Sequence, residues 1–323
     1  MRLLKIVPDN TNLPFVSLRH WAFGLTLALS LLAIGSVYWK GLNLGVDFVG
    51  GLVIEETFPT PPSLDKVRGV IDGLGVGEAA LQNVGNPSTV AIRLPAPTST
   101  DPGATNAVVA KVNAAMAANF PGARFSKQDA ISGKVSGELI RKGILAVVLA
   151  IVGISLFAVV RFEWQFGVST VVAIVHDLLM TLGFFAITQL DFDLNIVAAV
   201  LTIIGYSIND KIVIDDRIRE NMRKYRKMGM REIVDLSVNE TLPRTVMTSL
   251  TILLALAALL FLGGHVLRGF TAAMILGIVV GTYSSIYVSS SLLISLGLRA
   301  NPDAEPAAGR TDARADDRVI PSP

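Results

Sequence analysis

The sequence contains no cysteine. That excludes a disulfide framework, a thiol nucleophile and any metal site built on thiolates. Histidine is nearly as scarce, and His20, His176 and His265 stand far apart with no metal-ligand spacing. Charge is in short supply as well. Only 17% of the 323 residues are Asp, Glu, Lys or Arg, against about 25% in soluble domains. Phosphate-binding loops are also missing. "GKVSG" (133–137) is no P-loop, and "GLGVG" (73–77) lacks the G-x-G-x-x-G spacing. The chain therefore carries no sign of its own ATP hydrolysis. The net charge of +2 says little by itself, and no nucleic-acid partner is expected.

What is present is apolar. Hydrophobic residues make up 51% of the chain, and mean hydropathy is +0.56. Six long apolar runs occupy 21–39, 143–160, 167–188, 196–213, 246–262 and 269–297. Each is near the ~20 residues that cross a bilayer core as a helix. The first is too long for a signal-peptide core, ends in "VYWK" and lacks an A-x-A-like site, so it reads as a retained anchor.

Lysine and arginine set the expected orientation. Arg2, Lys5 and Arg19 precede the first run, Arg161 follows the second, and Arg217 to Arg231 form a basic stretch after the fourth. "QLDFDL" (189–194) has no basic residue and "GGHVLR" (263–268) has one. Both termini are then cytoplasmic in a multi-pass membrane protein. The expected division is a cytoplasmic N-terminus (1–20), a first membrane helix (21–39), an extracytoplasmic domain (40–140), five further membrane helices (141–298) and a disordered cytoplasmic tail (299–323). The tail is rich in Pro, Ala and charge, with no apolar period.

Residues 40–140 differ in character. "GLVIEETF" (51–58) alternates as a strand does, and 63–75 places Leu64, Val67, Val70, Ile71 and Leu74 at helical spacing behind a candidate N-cap, Ser63. "AALQNVGN" and "STVAIRLPAP" read as two strands around an Asn-Pro turn. Residues 105–120 form a second helix closed by Pro121-Gly122, and 123–132 a last strand. The order βαββαβ is that of a ferredoxin-like α+β domain.

Ionisable residues inside the apolar runs carry the functional signal. Such a group costs about 2.5–3.5 kcal/mol at a helix centre, so it usually faces protein or a polar cavity. Asp210, in "GYSINDKIVIDDRIREN" (205–221), is the strongest case. The apolar "KIVI" follows it, and dense charge begins at Asp215, read as the cytoplasmic exit. Arg244, just inside the fifth run, is the natural partner; its competing role is an anchor at the membrane interface. Pro243 is read as the start of that helix, whose first half carries Thr245, Thr248, Ser249 and Thr251. His176-Asp177 lies mid-run in the third helix. Asp177 is either a second carboxylate on a proton path or a packing group that satisfies backbone groups or a neighbouring hydroxyl. Lys211, one step from Asp210, either neutralises it locally or snorkels toward the cytoplasm, and the second is expected. Gly277-x-x-x-Gly281 is a close-packing helix face.

These segments resemble one known family. "GYSINDKIVIDDRIREN", "LPRTVMTSLTILLALAALLFLGG", "GFTAAMILGIVVGTYSSIYVSSSL", the "HD" of the third helix and "GLNLGVDFVGG" (41–51) are similar, in order, to motifs of the SecD/SecF protein-export family, on the SecF side. The resemblance spans about 15–58 and 130–298. It implies the resistance–nodulation–division architecture: six helices as one half of a pseudo-symmetric pair. It implies no enzyme activity and no cofactor beyond a proton gradient. Expected partners are SecD, the SecYEG channel and unfolded preproteins, with YajC as a further candidate. Asp210 and Arg244 match the family's proton-conducting residues, with Asn209, Ser207, His176, Asp177 and Thr248 as candidate support. Lys211 departs from the small hydroxyl residue of the family motif. Two rival functions stay open at this point: half of a proton/small-molecule antiporter, and a structural subunit that stabilises SecD.

Overall fold

The structure, a computed structural model, describes residues 8, 11–77, 79–95, 102–131, 133–264 and 267–298. The tail and His265 lie outside them. Six helices are long and apolar enough to cross a membrane: Phe15–Lys40, Val135–Arg161, Trp164–Thr188, Leu194–Lys224, Met230–Leu262 and Arg268–Ser295. In chain order, α1 is Arg19–Lys40 behind a short 3-10 turn, and α2 is Val46–Val49. Then come β1 (Gly51–Thr57), α3 (Leu64–Asp72), β2 (Ala80–Asn83), β3 (Thr89–Leu94), α4 (Pro102–Asn119) and β4 (Arg124–Ile131). The remaining helices are α5 (Gly133–Arg161), α6 (Trp164–Thr188), α7 (Leu194–Lys224), α8 (Met230–Leu262) and α9 (Arg268–Ser295). A π-helical turn, Ser284–Ser289, interrupts α9.

The α+β domain has the expected βαββαβ order. Its sheet runs β2-β3-β1-β4 with antiparallel neighbours throughout, the ferredoxin-like arrangement. One face of β1 alternates Leu52, Ile54 and Glu56 into the interior. There Leu52 and Ile54 meet Val67 and Ile71 of α3 and Val112 and Met116 of α4. Glu56 is 2% exposed, and burial pushes its carboxyl up to about 7. A bulge interrupts the β1–β4 pairing between Glu55 and Glu56.

Within the membrane bundle, α6, α7 and α9 are the inner helices. Roughly half of each apolar window is buried, against 11% for α1 and α5 and 17% for α8. Glycine permits the closest approaches. A methyl group at Gly183 of α6 would overlap Ala33 of α1, and one at Gly277 of α9 would overlap Ile203 of α7. At Gly281 it would lie 3.0 Å from the Ser207 Cβ. The Gly277/Gly281 face therefore packs on α7.

Two helices extend beyond their apolar runs. Helix α7 continues to Lys224, and α8 begins at Met230, so Pro243 sits inside α8 and does not start it. The reason is physical. Hydropathy marks where the bilayer ends, whereas Ile214, Ile218 and Met222 of α7 and Ile233, Val234 and Val238 of α8 form a further core past that depth. The segment before α1 docks there too: Leu13 N–H donates to Asn239 Oδ1 (2.9 Å) and Val16 N–H to Asp235 Oδ1 (2.8 Å).

Candidate functional site

Helix α7 brings most of the candidate residues into the bundle. One line of buried positions recurs every three or four residues: Ile196, Val200, Ile203, Ser207, Asp210, Ile214 and Ile218. That period puts Ser207 and Asp210 on the inner face. Asn209, about 100° round the helix from Asp210, is exposed and separate from the polar interior.

Asp177 of α6 is 1% exposed and fully engaged. Its Oδ2 accepts from Ser207 Oγ (2.6 Å) and Ser284 Oγ (3.0 Å), and its Oδ1 lies 3.1 Å from His176 Nδ1. Ser285 Oγ in turn donates to the Ser207 carbonyl at 3.3 Å. One carboxylate thus ties α6, α7 and α9 together. Of the partners open to Asp177, the structure supplies hydroxyls, one from each of two helices. His176 Nε2 is buried without a partner. Beside this cluster, Tyr206 OH, Ser249 Oγ and Thr282 Oγ1 form a hydroxyl chain with 2.9 and 3.0 Å links.

Asp210 is 3% exposed, and its Oδ2 is buried with no hydrogen-bond partner. Arg244 lies within electrostatic reach but forms no ion pair with it among the described residues. Instead Arg244 is exposed and lines a 530 Å³ cleft with Phe157, Arg161, Ile212, Val213 and Asp216. Thr248 is turned to its own helix, its Oγ1 donating to the Arg244 carbonyl at 3.1 Å.

Lys211 corrects the expectation from sequence. It does not snorkel: it is 2% exposed, and its Nζ donates to Asp215 Oδ2 (2.6 Å) and Ser169 Oγ (3.0 Å). Asp215 is likewise buried, so the charge that begins there starts inside the protein, not at an exit to solvent. Two stranded charges would cost several kcal/mol each, and pairing offsets much of that. The signal was present in sequence as an i, i+4 Lys–Asp spacing. Exposed charge begins at Asp216, and a cluster of Arg217, Glu240 and Asn221 joins α7 to α8 beyond it (2.7 Å for both contacts to Glu240 Oε2).

Other side chains of the polar centre carry no mark in the sequence. Ser284 and Ser285 are two of many serines in "SSIYVSSSL", and only tertiary packing selects them. The π turn assists, because such turns recur at functional sites and re-aim side chains. Among the described residues no group of three or more His, Asp or Glu could hold a metal.

Comparison with known proteins agrees with this architecture. The family model "Protein export membrane protein SecD/SecF, C-terminal" matches residues 111–299, and "SecD/SecF GG Motif" matches 40–55. The chain is 42% identical over 294 residues to the protein translocase subunit SecF of Rickettsia felis, covering 90% of this chain and 94% of that one. It is 41% identical over 324 residues to the protein translocase subunit SecF of Cereibacter sphaeroides, covering 97% and 98%. Among solved structures it is similar to the translocon-associated membrane protein SecDF of Thermus thermophilus, with a TM-score of 0.82 and 35% identity. That match covers 90% of this chain and 39% of the longer SecDF chain. The buried polar centre and the six helices are thus those of a multi-pass membrane protein that belongs to the SecD/SecF family, among its SecF translocase subunits.

Proposed function

We propose that this chain works with a SecD partner to convert the proton-motive force into late movement of preproteins through the SecYEG channel, with YajC as an accessory subunit. In this reading it is a transport subunit and not an enzyme, and a proton gradient is its only cofactor. It sits in the bacterial inner membrane with both termini cytoplasmic and the α+β domain on the far side, where emerging preprotein is handled.

The observation that carries the reading is Asp210: a carboxylate in the membrane interior whose Oδ2 has no partner. Within the bundle, the Asp177 carboxylate holds two serine hydroxyls and Asp215 is paired to Lys211 through its Oδ2, whereas Asp210 forms no ion pair among the described residues and its buried Oδ2 has no hydrogen-bond partner. A buried carboxylate near a cation of variable distance is neutral when the cation recedes and ionised when it approaches. Arg244, exposed and outside ion-pair distance, supplies that variable cation. One elementary charge crossing 100 mV yields about 2.3 kcal/mol, which shifts a two-state helix arrangement by tens-fold.

The test is Asp210→Asn in membrane vesicles. Proton-driven export should be lost while copurification with SecD persists. Wild-type export under a proton gradient would sink the proposal, and loss of assembly would point to a scaffold role.

A further inference from the structure

Residues 41–51 are bonded to both parts of the molecule. The segment leaves α1 at Gly41, forms α2, and enters β1 through Gly50 and Gly51, whose φ values of 75° and 119° lie where only glycine is at ease. On the membrane side it grips the start of α7. Phe192 N–H donates to the Asn43 carbonyl (2.8 Å) and Gly45 N–H to the Phe192 carbonyl (2.8 Å), so Leu44 and Phe192 form a parallel bridge. The Asp47 carboxylate accepts the Leu194 N–H at 2.8 Å. That is the first amide of α7, where a negative charge also suits the helix dipole. Phe48 joins Phe192, Ile196, Ala199 and Ile203 in one core.

On the domain side the same segment is held by β3. Arg93 donates to Asn43 Oδ1 (3.1 Å), to the Leu44 carbonyl (3.1 Å) and to Asp191 Oδ1. Asn43 Nδ2 also donates to Asp191 Oδ1 (2.7 Å). Arg268 at the start of α9 reaches the Gly85 carbonyl at 2.9 Å. By helical rise, Asp210 lies about 24 Å down α7 from the Asp47 contact.

We propose that residues 41–51 are a clasp that makes the α+β domain and α7 move as one body, with Asp47 and Arg93 as its positioning residues. This rests on the proton-driven reading above. A displacement of α7 at Asp210 is then delivered to the domain through a backbone bridge, a helix cap and a guanidinium fork, and not through a loose linker. No covalent step is involved.

The absence of native cysteine makes the test clean. Bridged β residues lie at a Cα separation that a disulfide spans, so Leu44→Cys with Phe192→Cys can be locked and released in the full complex in vesicles. The oxidised pair should export within about twofold of its own reduced form. Arg93→Gln and Asp47→Ala should each lower export about tenfold or more. Oxidising the cysteine pair in the Arg93→Gln background should recover most of that loss. Oxidation that stops export and reverses with reductant would overturn the clasp, because the domain would then have to part from α7. So would normal export by both Arg93→Gln and Asp47→Ala.

A second measurement separates this failure from failure of the proton reading. Spin labels at Gln128→Cys on β4 and Thr202→Cys on α7 should keep one distance with and without a proton gradient, and broaden in Arg93→Gln. A distance that changes with the gradient, or one unaffected by Arg93→Gln, overturns the clasp whatever Asp210→Asn does to export.

Discussion

The two halves of the molecule are built with opposite polarity. The α+β domain hides Leu52, Ile54, Ile71, Ile92 and Met116 and, Glu56 apart, keeps charge out of that core. The membrane bundle hides Asp177, Ser207, Asp210, Lys211 and Asp215 and exposes Leu145, Leu149, Leu156 and Leu254. Each arrangement follows from its solvent. In water, burying apolar area drives folding. In lipid that drive vanishes between helices, and close packing with interhelical polar contacts takes over. The comparison also assigns roles. A dry apolar core holds a shape, whereas a polar core holds charges whose occupancy can change.

Asp210→Asn, with its expected loss of proton-driven export, breaks the comparison most severely, because it removes an ionisable group and leaves packing intact. Next in size is the Lys211–Asp215 pair. Lys211→Met or Asp215→Asn alone should destabilise the bundle by about 3–5 kcal/mol, and Lys211→Met with Asp215→Leu should recover most of it. Unfolding in bicelles under steric trapping measures both; equal losses in single and double variants would show that the pair is not a closed unit. In the α+β domain, Ile54→Ala should cost about 2–5 kcal/mol, read as a lower melting temperature for that domain.

Glu56 is where the domain borrows the bundle's habit of burying charge, and there the effect depends on pH. Its folded value of about 7 exceeds the ordinary 4.5. The stability available with the group protonated is present at pH 4 and is lost as pH rises toward 7. Glu56→Gln should therefore match the wild type at pH 4 and exceed it by up to ~3 kcal/mol at pH 8. Parallel melting curves that show no pH dependence would remove Glu56 from this role. Smallest of all, Leu149→Ala on the exposed face of α5 should change stability by no more than about 0.5 kcal/mol.

Much of this was legible in the sequence because it is local. Apolar runs marked all six helices, and period-two and period-three-to-four patterns marked the βαββαβ order. Asp210 stood out because a carboxylate amid "LTIIGYSIN" is expensive wherever it faces. What was hidden is tertiary. No pattern in α6 shows that Asp177 takes its hydroxyls from α7 and α9. The Lys211–Asp215 pair is written in the sequence as an i, i+4 spacing, but spacing alone does not tell a buried pair from a lysine that snorkels to the interface. Pro243 has the look of a helix start in sequence, yet it lies inside α8, because a proline in a helix interior is tolerated where neighbours make up for the lost bond. The Asp47 cap joins residues that stand far apart in the chain and leaves no local trace.

The π turn at Ser284–Ser289 sets the two ends of α9 at different phases around one axis. A turn with one residue more than the α count offsets everything beyond it by about 100°. At the first residue of the turn, Ser284 faces Asp177; beyond the turn, Leu293 faces the core shared with Ile218 and Val238. A regular helix of the same length could satisfy one of these registers and would miss the other. The extra residue is thus a gear tooth: it lets a single rod mesh with a polar wheel at one end and an apolar wheel at the other.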